Sequence, residues 1–97
     1  SNAGGYVECC SVTMTGLSAT DLVMVCPASA RAGADTDYRL VETVSGTVLF
    51  QADDNQKSVC LTYSGYGFTG TRTFALQFSG GNRTFTFRSI TVQRFKR

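Results

Sequence analysis

Ninety-seven residues with a formal net charge of +2 and 42% hydrophobic content describe one small water-soluble domain, and no run approaches the roughly 18 consecutive apolar residues of a membrane helix. The chain has no histidine, which removes Ser-His and Cys-His nucleophile pairs, an imidazole base and the usual catalytic metal triads. A domain of this size buries only about 60 to 65% of its unfolded surface, so covalent ties would help it.

In chain order, Ser1-Asn2-Ala3 reads as the scar of a removed purification tag. The natural segment is therefore expected to start near Gly4, as residues 4–97 forming a single domain cut from a longer exported protein. Alternating apolar and polar residues predict strands over 6–14, 22–26, 38–44, 47–51, 58–63, 72–78, 83–87 and 89–95. The breaks carry turn chemistry: Ser45-Gly46 joins two strands tightly, the polar run 52–56 is a hairpin tip, and Ser79-Gly80-Gly81-Asn82 suits a short hairpin. The Ala-rich run 27–36 reads as a long surface loop or a helical turn. In the last quarter Phe74, Leu76 and Phe78, then Phe85 and Phe87, then Ile90 and Val92 alternate with polar residues. That pattern predicts a three-strand antiparallel meander, with a bulge or tight turn at Arg88-Ser89.

The fold class that follows is all-β, a small antiparallel β-sandwich, jelly-roll-like or immunoglobulin-like, of about seven or eight short strands. A true immunoglobulin domain would place a tryptophan against its inter-sheet disulfide, and the chain has none. The segment Phe85-Thr86-Phe87-Arg88-Ser89-Ile90-Thr91-Val92 is similar to the final strands of jelly-roll modules found beside extracellular carbohydrate-active enzymes. The likeness spans eight residues and assigns no family.

Four cysteines without Cys-x-x-Cys spacing point to disulfides rather than zinc, and hence to an extracellular, cell-surface or periplasmic setting. Strand phase turns Cys10 inward with Val12 and Met14, and Cys9 outward. Cys60 lies off the inward set Val59, Leu61 and Tyr63. The pairing this favours is Cys9 with Cys60 and Cys10 with Cys26, one of three that four cysteines allow.

Charge divides along the chain, with a net −5 up to residue 54 and +7 after it. Read as function, Arg88, Arg94, Lys96 and Arg97 form a basic patch for an anionic partner such as an acidic glycan, a lipid headgroup or nucleic acid, the last disfavoured. Read as structure, strands of the two halves interleave and their charges offset one another.

The loop 64–70 is the place to look for binding. Its three glycines make the backbone pliant, and Tyr66 and Phe68, with Arg72 beside them, could offer flat rings to a sugar face or an apolar partner. The alternative is that both rings fold back and cap the core. Gly65-x-Gly67-x-x-Gly70 matches a dinucleotide fingerprint in letters, but no helix is predicted after it to hold a pyrophosphate. Asp35 with Asp37, and Asp53-Asp54-Asn55, lack the ligand spacing of a calcium loop and read as turn formers. No enzyme, metal or cofactor is expected. The leading expectation is a non-catalytic binding module for a glycan or protein surface, accessory or adhesin-type. The alternatives are a structural assembly module and an anion binder.

Overall fold

The computed structural model describes residues 5–27, 30–32, 36–52, 62–80, 85–87 and 90–96. They form an all-β, sandwich-like fold of nine strands: β1 (Val7–Leu17), β2 (Leu22–Pro27), β3 (Ala30–Ala32), β4 (Thr36–Glu42), β5 (Thr47–Ala52), β6 (Tyr63–Gly65), β7 (Gly70–Gly80), β8 (Phe85–Phe87) and β9 (Ile90–Phe95). Every pairing among them is antiparallel. One sheet runs β1-β7-β4-β5, a second runs β6-β2-β9, and β3 pairs β8 in a short ribbon.

Period two fixes the faces. In β2, Val23 and Val25 are fully buried while Leu22, Met24 and Cys26 are half-buried on the opposite face. Leu17, Leu40 and Phe74 of the four-stranded sheet meet Val23 and Val25 of the three-stranded one. Met14, Leu49, Phe50, Tyr63, Phe68, Ile90 and Val92 pack around them. Arg39 ties the outer face of the larger sheet, its guanidinium 3.8 Å from the Tyr6 ring centroid and its Nε donating to Gln77 Oε1 at 2.8 Å.

Several expectations need correction. The late strands do not form a meander: β7 lies between β1 and β4, β8 pairs β3, and β9 pairs β2. Each joins an early strand because a sandwich core needs partners from both halves of the chain, and period two reports a face without naming a neighbour. For the same reason the hairpin expected at 79–82 is not formed; β7 runs on to Gly80 and has β1 and β4, not β8, as neighbours. The run 27–36 is neither loop nor helical turn throughout, since Ala30–Ala32 pairs with Phe85–Phe87 as a ninth strand.

The expected Cys10–Cys26 bridge is absent, and both are free thiols. Cys10 stands opposite Leu76 on the inward face of the four-stranded sheet. Cys26 stands opposite Thr91 in the other sheet and shares the outward phase of Leu22 and Met24, so its side chain points away from the sheet that carries Cys10. Burial, then the nearby Glu8 charge, raise the Cys10 thiol above its ordinary pKa, as suits an inert core thiol. Cys9 occupies a bulge in β1, between Glu8 opposite Gln77 and Cys10 opposite Leu76. The Cys9 side chain, Cys60, the predicted hairpin tip at 52–56 beyond Ala52, and most of the predicted strand 58–63 lie outside the described residues.

Candidate functional site

One end of the sandwich gathers the turn 18–21, the turn 43–46, the segment 66–69 and the end of β9. The register brings them together: Leu17 is opposite Gly70, Glu42 opposite Phe74, and Leu22 opposite Phe95. At this end stand three of the large hydrophobic side chains most open to water, Val44 at 63%, Tyr66 at 54% and Phe95 at 48%.

Hydrogen bonds and packing hold the frame beneath them. Asp21 is buried, its carboxylate accepting from Ser18 N at 3.0 Å while its own N–H donates to Ser18 O at 2.8 Å. Gly67 N donates to Ala19 O at 2.9 Å, which fastens the Tyr66 segment to this turn. Gly67 has φ +96, a left-handed backbone that glycine adopts without strain. The next residue, Phe68, turns inward and meets Phe74 edge-to-face at 5.3 Å and Tyr63 at 6.1 Å between ring centroids. Gly65 is needed for another reason. The Tyr63 ring lies over it, where a Cβ would collide with ring atoms. Phe68 therefore caps the core, whereas Tyr66, between two anchored residues, stays in water.

The sequence-predicted basic residues divide in the same way. Arg72 donates from Nη1 to Glu42 Oε1 at 2.9 Å and from Nε to Thr69 O at 3.1 Å. Arg94 donates from Nη1 to Thr15 O at 2.9 Å and Gly16 O at 3.2 Å, closing the corner between β9 and β1. Lys96 is exposed beside Phe95. Arg88 and Arg97 lie outside the described residues, so of the expected patch only Arg94 and Lys96 are placed, and Arg94 is engaged internally.

Glu42 was not singled out from the sequence, although it falls on the apolar phase of β4 with Leu40 and directly before the Ser45-Gly46 turn. Its side chain is 0% exposed. Oε1 accepts from Ser45 N at 3.0 Å, Ser45 Oγ at 2.7 Å and Arg72; Oε2 accepts from Val44 N at 2.8 Å and Thr73 N at 3.4 Å. Burial on its own would raise this pKa, but the bonds from Ser45, Val44 and Arg72 outweigh it and hold the carboxyl down to about 2. A fully bonded carboxylate that stays charged at neutral pH is a structural fixture and not a proton donor there. Phe95 was also passed over, and its signal was visible: it shares phase with Thr91 and Gln93 rather than with Ile90 and Val92.

Among the described residues, no three of His, Cys, Asp and Glu come together to hold a metal ion. The chain matches no family model, no curated protein and no solved structure.

Proposed function

We propose that this protein is a non-catalytic binding module that takes a glycan or an apolar protein surface at the Tyr66 end of its sandwich. The observation that carries the reading is the isolation of Tyr66. Its neighbours on both sides are committed, Gly65 beneath the Tyr63 ring and Gly67 to Ala19, yet its own ring is 54% exposed. Fixing the backbone in advance lowers the ordering cost of binding, and an aromatic face provides stacking area with only two side-chain torsions to freeze. Arg72 and Phe68, grouped with Tyr66 in the sequence, support the site from behind by holding Glu42, Thr69 and Phe74. Such a module is proposed to act outside the cytoplasm, where surface glycans and their partners are displayed.

The test is binding of the purified chain to an immobilised glycan panel, with Tyr66→Ala and Tyr66→Phe beside it. The reading expects binding that is lost in Tyr66→Ala and kept in Tyr66→Phe. Binding indifferent to Tyr66→Ala overturns it.

A further inference from the structure

We infer that the ligand of this end is an anionic linear glycan, stacked on Tyr66 and Phe95 as paired platforms with Lys96 meeting its acidic groups. The inference rests on the Tyr66 reading above and extends it to a second ring and a charge. Gly65 and Arg94 are both register partners of Val23, one on each side of β2. Tyr66 and Phe95 each follow by one residue, so two exposed rings flank the Leu22 end of the central strand. Their parent strands are two strand spacings apart, about 10 Å, a span that an extended oligosaccharide bridges and one isolated sugar does not. Phe95 and Leu22 face outward together, giving the chain of sugars an apolar floor between the rings.

Charge selects among glycans. Among the described residues at this end the carboxylates are Asp21 and Glu42, both buried and both accepting hydrogen bonds from the frame. The described charges at this end that face water are positive, Lys96 exposed and Arg72 in part. The other described acidic positions, Glu8 and Asp37, are opposite Gln77 and Ser79. Measured along β7 from Arg72 these lie about 17 and 23 Å away, beyond the roughly 8 Å screening length of physiological salt. With Arg72 paired to Glu42, an incoming carboxylate or sulfate meets chiefly the exposed Lys96 beside the rings.

The experiment measures binding of the whole chain to polygalacturonate, dextran sulfate, uncharged dextran and poly-glutamate, for wild type, Tyr66→Ala, Phe95→Ala and Lys96→Glu. Far-ultraviolet dichroism and thermal melts accompany each variant to confirm folding. The expected result is binding to polygalacturonate or dextran sulfate, the pair distinguishing carboxylate from sulfate, with uncharged dextran weak. Affinity should fall about tenfold or more in both Phe95→Ala and Lys96→Glu, and fall with added salt. A wild type that binds neither acidic polysaccharide overturns the inference, as does poly-glutamate binding of equal strength, which would indicate an acidic peptide. Loss in Tyr66→Ala with Phe95→Ala and Lys96→Glu unaffected overturns the two-ring anionic site and leaves the Tyr66 reading standing. Indifference to Tyr66→Ala removes both.

Discussion

Replacing Glu42 with glutamine is the sharpest perturbation available. The carboxylate gathers five donors, three on Oε1 and two on Oε2, so an amide must turn its NH2 toward at least two N–H or O–H groups that have no other acceptor in this network. Burying unmatched donors beside the Arg72 guanidinium costs about 3 to 5 kcal/mol, enough to lower the melting temperature of a domain this size by more than 10 °C. The pH dependence gives an independent figure. With the folded pKa held at about 2 against an ordinary 4.5, ionisation of Glu42 contributes at most about 3 kcal/mol at neutral pH. Because the folded value is the depressed one, that stability is present above pH 4.5 and drains away as pH falls from there toward 2. Urea denaturation followed by far-ultraviolet dichroism at pH 7, 4.5 and 2.5 measures both effects. Glu42→Gln should be much less stable at pH 7, and the gap to wild type should narrow at pH 2.5. A variant within about 1 kcal/mol of wild type at pH 7, or a gap that does not change with acid, would refute the account of this carboxylate.

Gly65→Ala should cost about 1 to 3 kcal/mol in urea midpoint because the new Cβ displaces the Tyr63 ring from Phe68, and a neutral substitution would contradict that packing. Phe68→Ala should destabilise by about 2 to 4 kcal/mol, whereas Tyr66→Ala should stay within about 0.5 kcal/mol of wild type in the same assay. Equal losses at the two positions would show that Tyr66 is also part of the cap. Alkylation in denaturant without reductant, followed by peptide mass mapping, should label both Cys10 and Cys26. Recovery of a peptide pair joined through these two sulfurs would refute the assignment as free thiols.

Faces were legible in the sequence, and partners were not. The alternation in β7 and β9 correctly marked Phe74 and Val92 as inward, because side-chain period is a local property of an extended backbone. Which strand lies beside β7 depends on how two layers stack, and that is decided by residues some thirty to sixty positions away, such as Glu42 and Thr13. The Cys10–Cys26 expectation failed because it used strand phase for Cys10 but not for Cys26, which takes the outward phase of Leu22 and Met24. The ribbon partner Ala30–Ala32 escaped notice because Ala-Arg-Ala has no β-branched or aromatic residue to mark a strand. At the candidate site two readings stood open, rings offered to water or rings capping the core, and Tyr66 follows the first. Phe68 follows the second, and the sequence did not separate the two rings because the split needs Gly67 at positive φ and a neighbour at Ala19, neither of which leaves a local mark.

The interleaved strand order also constrains how the molecule comes into being. When synthesis has reached residue 69, β1 still lacks the neighbour it has in the finished sheet, β3 lacks β8, and β2 has only the three residues of β6. Productive folding must wait for β7, β8 and β9 and then close long loops at once, the regime in which β proteins acquire their native state slowly. A nascent or truncated chain therefore presents unpaired edges to whatever chaperone first meets it.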